Sequence, residues 1–320
     1  MKALVTGAAG FIGSHLSATL LDRGATVVGI DCFTDYYPRG IKEKNLEENT
    51  LREGFRFAET RIQDADLPAL LEGVTHVFHL AAQAGVRKSW GRDFRTYTDN
   101  NIDATQHLLE ACVGVPLERF VYASSSSVYG DNASIPMRED ALPRPVSPYG
   151  VTKLSAEQLG YLYHVNFKVP ATAVRYFTVY GPRQRPDKAF HKLIKAAIKN
   201  DAISLYGDGE QTRDFTFVSD AVAATIAAGE RGVPGRAYNV GGGSRVSMNE
   251  VIRIIEAVAG HPLKVHREET QKGDMRDTYA DTSLARKDLG FEPKVPLTEG
   301  IQAEYRWLTS SLALLESAGR

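Results

Sequence analysis

Short apolar runs alternate with longer amphipathic stretches through the first half of the chain. The apolar runs are residues 3–5 and the segments TVVGID, FRFAET, THVFHLAA, RFVYASSSS and ATAVRYF. Between them we predict an amphipathic helix after the first run, a short helix over 65–71, a long one over 94–112 and another beginning at Pro148. This alternation predicts a parallel sheet covered by helices on both faces, with ligands beyond the carboxyl ends of its strands.

The pattern changes after Tyr180. The segment GPRQRPD is rich in proline and arginine, a helix is predicted through Lys199, and LYGDGEQTRDF is dense in turn-forming residues. A helix starting near Val218 is typical of a return to the first unit, and NVGGGSRVSMNEVIRIIEAV begins a smaller one. We predict an α/β protein, a Rossmann-type doubly wound parallel sheet with a smaller C-terminal α/β substrate lobe. The predicted boundaries are 1–178 plus about 213–240 for the first domain, and 179–212 with 241–320 for the lobe.

Three glycines follow the first apolar run in GxxGxxG spacing. Gly7, Gly10 and Gly13 let the backbone turn tightly and approach a pyrophosphate, and the helix that follows offers its unpaired N–H groups to phosphate. Asp31 ends the second run. Its distance along the chain from Gly13 is close to the ~20 residues expected for a carboxylate that binds the adenosine ribose. A carboxylate there repels a 2′-phosphate, so we expect NAD rather than NADP. The alternative is that Asp31 merely ends a strand.

Tyr149 and Lys153 are four residues apart in SPYGVTKLSAEQLG, where Ser147 and Pro148 are typical of a helix start. On a helix, the two side chains share one face. The Lys153 ammonium then favours the phenolate of Tyr149, whose pKa is otherwise near ~10. A phenolate beside an oxidising cofactor is a base that takes the proton of an alcohol as its hydride leaves. The alternative is an ordinary pair on a solvated helix face, and the nucleotide-binding turn argues against it.

Composition narrows the classes of function. A chain of 320 residues is long enough for two lobes, and its net charge of −1, with both signs interspersed, argues against a nucleic-acid or membrane surface. Cys32 and Cys112 are far apart and lack metal-site spacing, so neither a disulfide framework nor a metal site is predicted. Glycines break the early apolar stretch, unlike a signal peptide, and no run reaches the ~18 apolar residues of a membrane span. We expect a soluble cytoplasmic enzyme.

Motifs along nearly the whole chain resemble those of one family. They are VTGAAGFIGSHL, HLAAQAGVR, NNIDATQHLLEA, YASSSSVYG, SPYGVTK, RYFTVYGPRQRPD, GDGEQTRDFTFVSD and GDMRDTYAD. By these motifs the chain is identified as an extended short-chain dehydrogenase/reductase of the nucleotide-sugar epimerase and dehydratase group. The first four are shared across that group and specify fold and cofactor. The string RYFTVYGPRQRPDKAFH is most similar to UDP-glucuronic acid 4-epimerases.

The resemblance implies roles for individual residues. Ser125 hydrogen-bonds the reacting sugar hydroxyl, Tyr149 accepts its proton, and Lys153 sets the pKa of Tyr149 and reaches the nicotinamide ribose. The implied cofactor-binding residues are Gly7, Gly10, Phe11, Ile12, Gly13, Asp31, Leu80, Ala81, Ala82, Gln83, Asn101, Tyr149, Lys153 and Tyr176. The implied substrate-binding residues are Ser125, Ser126, Ser127, Tyr149, Thr178, Arg185, Arg213 and Arg276, the last two on the UDP diphosphate.

Some of these assignments have alternatives. Ser126 and Ser127 are equally compatible with simple capping of their loop, Asn101 with a helix cap, and Arg185 with contact to either the diphosphate or the sugar. The family usually has an acidic residue before the isoleucine that follows the third strand, where it contacts the adenine amino group. This chain has Arg61 there, and a guanidinium accepts no hydrogen bond, so adenine must be contacted by backbone or by stacking.

The implied activity is NAD-dependent 4-epimerisation of a UDP-sugar, from UDP-glucuronic acid to UDP-galacturonic acid through a transient 4-keto intermediate. A UDP-glucose or UDP-N-acetylhexosamine 4-epimerase and a UDP-glucuronate decarboxylase are the alternatives. Relatives that are dehydratases carry an Asp–Glu pair, and decarboxylases a Glu, where this chain has serines. A non-catalytic NAD-sensing protein would retain the fold, but Ser125, Tyr149 and Lys153 together argue against it. Relatives dimerise through helices corresponding to about 94–112 and 148–167, so a homodimer is expected.

Overall fold

The computed structural model of the protein describes residues 1–131, 134–269 and 275–318. Gly273 and Asp274, which begin the GDMRDTYAD motif, lie outside the described residues. The strands are β1 Lys2–Thr6, β2 Thr26–Asp31, β3 Phe55–Glu59, β4 His76–His79, β5 Arg119–Ser125, β6 Ala171–Tyr176, β7 Thr178–Tyr180, β8 Ala202–Tyr206, β9 Thr212–Phe217, β10 Ala237–Val240, β11 Arg245–Ser247 and β12 Lys264–Glu268. The helices are α1 Phe11–Asp22, α2 Arg39–Thr50, α3 Leu67–Leu71, α4 Phe94–Tyr97, α5 Ala104–Ala111, α6 Pro148–Phe167, α7 Ala189–Lys199, α8 Val218–Arg231, α9 Met248–Ala259, α10 Ser283–Leu289 and α11 Leu297–Ala318.

Seven of the described strands form one parallel sheet in the order β10-β6-β5-β4-β1-β2-β3. The direction of winding reverses between β1 and β4, and in such a sheet a crevice opens beyond the carboxyl ends of those two strands. One face is covered by α1 and α8, which bury Leu16 and Ile226, and the other by α5 and α6, which bury Leu108 and Ala156. The predicted doubly wound parallel sheet is confirmed. β10 is a seventh strand that the apolar runs did not reveal.

A second, smaller unit follows β6. β7 and β11 flank β9 in a three-stranded sheet, and β8 pairs with β12. The helices α7, α9 and α11 contact one another around a core that includes Tyr180, Phe190 and Phe215. The rings of Phe190 and Phe215 lie 4.6 Å apart between centroids. This packing gives the loops after β6 a rigid support next to the crevice.

Two local features differ from the predicted pattern. α2 was not predicted, because RGIKEKNLEENT is mostly polar, yet it buries Ile41 and Leu46 together with Asn45 and Asn49. The long helix predicted over 94–112 is present, but its middle turn, Thr98–Asp103, is π-helical. Such turns are frequent at functional sites. Across the described residues, no helix has both the length and the apolar character needed to cross a membrane.

Candidate active site

The cleft begins at the glycine turn between β1 and α1. Gly7 has a φ of +71°, which favours glycine, and a Cβ there would lie 2.9 Å from the backbone nitrogen of Ala81. A Cβ on Gly13 would lie 2.1 Å from the carbonyl oxygen of Gly7. Gly10 is the N-cap of α1 and has no side chain to cap the first N–H groups of the helix. The turn therefore presents close backbone and an open helix N-terminus, as a pyrophosphate site requires.

Two asparagines of α2 support this turn from behind. Asn45 Nδ2 donates to the carbonyl oxygen of Ala9 at 3.1 Å, and Asn49 Nδ2 donates to that of Ser14 at 2.9 Å. Both side chains are buried, so losing either bond would remove a buried hydrogen bond that ties α2 to the turn and α1. Sequence reasoning missed both residues because it missed their helix. The signal that could have identified them is their i, i+4 spacing, which places two residues on one face of a helix.

Asp31 lies at the end of β2 and lines the cleft beside the turn. Its Oδ1 accepts from Phe33 N–H at 2.9 Å and its Oδ2 from Ala9 N–H at 3.2 Å. Burial raises the pKa of Asp31, while these backbone donors and the Lys42 ammonium oppose the shift. The buried Lys42 in turn donates to the carbonyl oxygen of Thr34 at 2.6 Å. A carboxylate backed by a cation thus stands at the end of the cleft predicted for the adenosine ribose.

The segment after β4 forms the opposite wall. Leu80, Ala81, Ala82 and Gln83 all line the cleft. The buried side chain of Asn101, in the π-helical turn, accepts from Gln83 N–H at 2.7 Å and donates to the Gln83 carbonyl oxygen at 3.0 Å. It also donates to Thr152 Oγ1 of α6 at 2.9 Å. Asn101 therefore lies behind the wall and holds it in place, rather than lining the cleft.

The cleft brings together most of the residues predicted for the cofactor. Its lining includes Gly7, Gly10, Phe11, Ile12, Gly13, Asp31, Leu80, Ala81, Ala82, Gln83, Tyr149, Lys153, Tyr176 and, from the predicted substrate set, Arg185. Arg61, which is exposed, and Gln63 line the end that follows β3. Of the predicted residues that the structure describes, those outside this lining are Asn101, Ser125, Ser126, Ser127, Thr178, Arg213 and Arg276.

Tyr149 lies in the first turn of α6, where the predicted cap is present. Ser147 Oγ accepts from Gly150 N–H at 3.1 Å, and Pro148 is the first helical residue. Burial raises the pKa of Tyr149, whereas the Arg185 guanidinium and a hydrogen bond with Ser125 act to lower it. Sequence reasoning assigned this lowering to Lys153, whose part stays a prediction.

Lys153 is 3% exposed, one turn along the same helix. Its Nζ lies 4.6 Å from the centroid of the Tyr122 ring. Burial lowers the pKa of Lys153 to about 7, and the carboxylate of Glu157 opposes the shift. Burial thus disfavours the ammonium form of Lys153, and Glu157 favours it.

The serine loop joins the end of β5 to the cleft. Ser125 Oγ donates to Ser127 Oγ at 3.1 Å and accepts from Ser127 N–H at 3.1 Å, so Ser125 caps the short turn that follows it. Ser126 is buried and Ser127 is partly exposed. Of the serines in this loop, Ser125 is the one whose side chain acts to lower the pKa of Tyr149. Ser124, which was not predicted, lines the cleft and donates to Glu157 Oε2 at 2.6 Å.

Arg185 reaches the cleft from the loop after β7. It forms a bidentate pair with Asp187, with Nε–Oδ1 and Nη2–Oδ2 distances of 2.9 Å. Its guanidinium carbon also lies 5.2 Å from the centroid of the Tyr36 ring, which contributes to the cleft from the loop after β2. Burial acts to raise the pKa of Asp187, but the hydrogen bond and charge of Arg185 lower it to about 2. Neither Asp187 nor Tyr36 was identified from the sequence.

Thr178, Arg213 and Arg276 lie on the second unit. Thr178 begins β7 and pairs with Phe215 of β9. Arg213 Nη1 donates to the carbonyl oxygen of Arg276 at 2.7 Å, so these two predicted anion contacts are neighbours. The side chain of Arg276 is 71% exposed, and its Nη2 lies 3.7 Å from Asp208 Oδ2. The Arg276 N–H donates to Asp131 Oδ1 at 3.0 Å, just beyond the serine loop.

Comparison with known proteins gives consistent relatives. The model of the NAD dependent epimerase/dehydratase family matches residues 3–241. The chain is 45% identical to an uncharacterised UDP-glucose epimerase of Bacillus subtilis (strain 168), over 97% of this chain and 98% of that one. It is 38% identical to the UDP-glucuronate 4-epimerase of Thermodesulfobacterium geofontis (strain OPF15), over 98% of each.

A solved structure is similar over nearly the full length. The crystal structure of UDP-glucuronic acid 4-epimerase from Bacillus cereus, in complex with UDP-glucuronic acid and NAD, has a TM-score of 0.94 and 45% identity, covering 97% of this chain and 99% of that one. The similarity therefore covers both units of the fold, including the glycine turn and the Tyr149 helix. The chain belongs to the NAD-dependent epimerase/dehydratase family.

Proposed function

We propose that the protein is an NAD-dependent UDP-sugar 4-epimerase that converts UDP-glucuronic acid to UDP-galacturonic acid. The observation that carries the proposal is the surroundings of Tyr149. Tyr149 and Arg185 line one cleft, Ser125 follows Ser124 of the same lining, and both Ser125 and Arg185 act to lower the pKa of the Tyr149 phenol. A phenol, a hydroxyl and a guanidinium at one place suit a reaction that removes a proton from an anionic sugar. The relative from Thermodesulfobacterium geofontis carries the same activity in its name.

The residues present fit NAD. Only glycine fits at Gly7 and Gly13, where a Cβ would meet backbone, and this close approach is what a pyrophosphate site needs. We assign the pyrophosphate to the turn and the N-terminus of α1, and the adenosine ribose to Asp31. Leu80 to Gln83, Lys153 and Tyr176 would line the nicotinamide half, with Asn101 holding the wall behind them.

The proton step belongs to Tyr149. We propose that Ser125 orients the 4-hydroxyl of the sugar and that Tyr149 takes its proton. Because burial raises the pKa of Tyr149, its phenolate needs neighbouring cations. Arg185 supplies one, and we propose Lys153, one turn further along α6 in the same lining, as the other. When bound, NAD accepts the C4 hydride and returns it to the opposite face of the 4-keto sugar, so the configuration at C4 inverts without net oxidation. Tyr149 then returns the proton.

The sugar carboxylate sets a second requirement. A 4-keto group lies β to the C5 carboxylate, so the intermediate is a β-keto acid that loses carbon dioxide when the breaking bond aligns with the carbonyl π-system. Hydrogen bonds that keep the carboxylate charged and turned away oppose this loss. We assign that role to Thr178, to Arg185 or to the serine loop, Ser125, Ser126 and Ser127. These groups come from β7, the loop after it and the end of β5.

The strongest competing function is a 4-epimerase for neutral UDP-sugars. The observation that favours it is the bidentate pair of Arg185 with Asp187, because a guanidinium already matched by a carboxylate adds less for a charged sugar. The relative from Bacillus subtilis is named for UDP-glucose. In that case Arg185 would contact the diphosphate, which every UDP-sugar carries.

The remaining assignments follow the two units. We propose that residues 1–178 with about 213–240 hold NAD, and that 179–212 with 241–320 hold the UDP portion. Arg213, at the boundary between these two ranges, is a neighbour of Arg276, and the two would bind the diphosphate. Their link to Asp131 offers a direct connection between the diphosphate site and the serine loop.

We also propose that the chain works as a homodimer in the cytoplasm. α6 exposes Tyr161, Leu162, Val165 and Phe167, each between 46% and 54% accessible, on the helix that carries Tyr149. Exposed apolar side chains grouped in this way are typical of an interface. Light scattering of the purified protein should give twice the mass of the chain, and Val165→Asp should reduce it to one. A wild-type monomer would contradict the dimer.

Product analysis tests the proposed activity. The purified protein is incubated with UDP-glucuronic acid and no added NAD, and the products are resolved by NMR. UDP-galacturonic acid is the expected product, because NAD is recycled at each turnover. UDP-xylose would indicate a decarboxylase instead. Turnover of UDP-glucose or UDP-N-acetylglucosamine, with none of UDP-glucuronic acid, would support the neutral-sugar alternative.

A further inference from the structure

A buried ion pair lies directly behind the proposed base and its lysine. Glu157 of α6 and Arg175 of β6 have side chains that are 7% and 5% exposed. Arg175 donates through Nη2 to Glu157 Oε1 at 2.5 Å and through Nε to Oε2 at 3.1 Å. Charges this deeply buried are expensive, and an apolar pair of the same volume is often as stable. A role beyond stability is therefore worth seeking.

The pair is tied to the cleft on the side of Glu157. Ser124, in the cleft lining, donates to Glu157 Oε2 at 2.6 Å. This hydrogen bond links the carboxylate to the end of β5, immediately before Ser125. Tyr149, Lys153 and Glu157 follow one another at intervals of four along α6, close to one face of the helix. Glu157 therefore fixes that face against the strand that supplies the proposed substrate-orienting hydroxyl.

The pair is tied on the side of Arg175 to structure away from the cleft. Arg175 Nη1 donates to Tyr129 Oη at 2.8 Å, and Tyr129 donates to Asn239 Oδ1 at 2.7 Å. Asn239 Nδ2 donates to the carbonyl oxygens of Met137 at 2.9 Å and Asp281 at 3.1 Å. These bonds fix the position of Arg175, and Arg175 in turn fixes the orientation of the Glu157 carboxylate.

We propose that Glu157, oriented by Arg175 and Ser124, is a positioning residue that keeps Lys153 in its ammonium form and holds the Tyr149 face of α6 against the end of β5. The inference rests on the proposed epimerase function for its consequence in turnover. Its electrostatic part does not depend on which sugar is the substrate.

The charged and titratable groups around Lys153 and Glu157 support this assignment. Lys153 faces Glu157 on its own helix, His79 of β4 and Tyr122 of β5, and it shares the cleft lining with Tyr149 of α6 and Tyr176 of β6. Glu157 faces Arg175 of β6, Tyr122 and Ser124 of β5, and Lys153. Of the groups around Lys153, Glu157 supplies the negative charge, and burial already lowers the pKa of Lys153 to about 7.

Removing the carboxylate should therefore neutralise Lys153 at working pH. An opposite charge at close range shifts a pKa by ~1–3 units, so Glu157→Gln should move the Lys153 ionisation down by about one unit or more. At neutral pH Lys153 would then be mostly the amine, and the phenolate of Tyr149 would lose a cation. We expect kcat to fall about tenfold or more, with KM for the UDP-sugar changed by less than about threefold.

The test measures the Lys153 ionisation and turnover separately. Protein labelled at lysine 13Cε is titrated by NMR, with the Lys153 signal assigned by its absence in Lys153→Met. Glu139→Gln is the matched control, because Glu139 also faces Arg175 and bonds the Asn239 N–H at 2.8 Å, but the charge that raises the pKa of Lys153 comes from Glu157. The control should leave the Lys153 midpoint and kcat unchanged.

Glu157→Gln leaves Arg175 buried without its partner, so the single variant can fail to fold. The double variant Glu157→Gln/Arg175→Met removes both charges and should fold, with the Lys153 midpoint still below that of the wild type. A folded single or double variant whose Lys153 midpoint matches the wild type overturns the inference. Absence of turnover of any UDP-sugar by the wild type would instead overturn the epimerase function and leave the titration result standing.

Discussion

The two ends of the cleft differ in whether backbone or side chains form the binding surface. At the dinucleotide end, backbone geometry dominates: Gly7 and Gly13 sit where a Cβ would meet backbone atoms, and Asp31 is held by backbone N–H groups. At the sugar end, charged side chains on loops dominate, and those cations have partners within the protein, such as Asp187 for Arg185 and Asp208 for Arg276. The geometry of the first end therefore depends on the backbone fold. The geometry of the second end depends on side chains, which substitutions can change without altering the fold.

The largest expected effect is at the dinucleotide end. In Gly13→Ala, the new Cβ would lie 2.1 Å from the carbonyl oxygen of Gly7, and only a backbone shift relieves it. We expect loss of bound NAD and activity, and a free energy of unfolding lower by about 3 kcal/mol or more. Denaturant unfolding and the cofactor content of the purified protein measure this.

The control for that change is Gly160→Ala. It is also a helical glycine, but its Cβ would make only an ordinary contact, 3.7 Å from the Ala171 Cβ. Alanine is favoured over glycine in a helix by roughly 0.5–1 kcal/mol, so this variant should keep its cofactor and its stability. Equal behaviour of the two variants would mean that close packing at Gly13 is unimportant.

The next largest effect is at the junction of the two ends. Tyr149→Phe removes the proton acceptor and little volume, so UDP-sugar binding should persist while kcat falls by roughly 10²–10⁴. Rapid kinetics with calorimetry for binding separates the two. Turnover within about threefold of the wild type would remove Tyr149 from the mechanism.

The difference between the ends also explains what the sequence could predict. The glycine turn, Asp31 and the Tyr149 helix were predictable because the fold demands these residue types at fixed spacing. Asn45 and Asn49 were not predicted, because α2 is mostly polar and only its packing reveals its buried face. Glu157 and Arg175 were missed because the packing of α6 on β6 brings them together, and no local pattern encodes that approach.

Cofactor choice gives a smaller effect at the dinucleotide end. In the proposed site, Asp31 places a carboxylate where a 2′-phosphate would lie, so NAD should bind about tenfold or more tightly than NADP, from like-charge repulsion of ~1.4 kcal/mol or more. Calorimetry on cofactor-free protein measures both constants. Equal or tighter binding of NADP would show that Asp31 is not at the ribose.

Selectivity for the sugar gives an effect of similar size and is confined to the other end. Arg185→Ala and Thr178→Ala should each lower kcat/KM for UDP-glucuronate by about tenfold or more, since a hydrogen bond to a charged group is worth ~1.5–3 kcal/mol. Release of UDP-xylose or its 4-keto precursor is expected if the lost group also restrained the carboxylate. Equal losses on UDP-glucuronate and UDP-glucose, with no new product, would place Arg185 on the diphosphate alone.

The most direct test of the central claim follows the hydride at C4. UDP-glucuronic acid deuterated at C4 is incubated with the enzyme and its resident cofactor, and the product is examined by NMR and mass spectrometry. If the hydride leaves C4 and returns to the opposite face, UDP-galacturonic acid should carry the deuterium at C4, and the protein should release none to solvent. Loss of the label from C4, or inversion with solvent hydrogen at that carbon, would contradict the account.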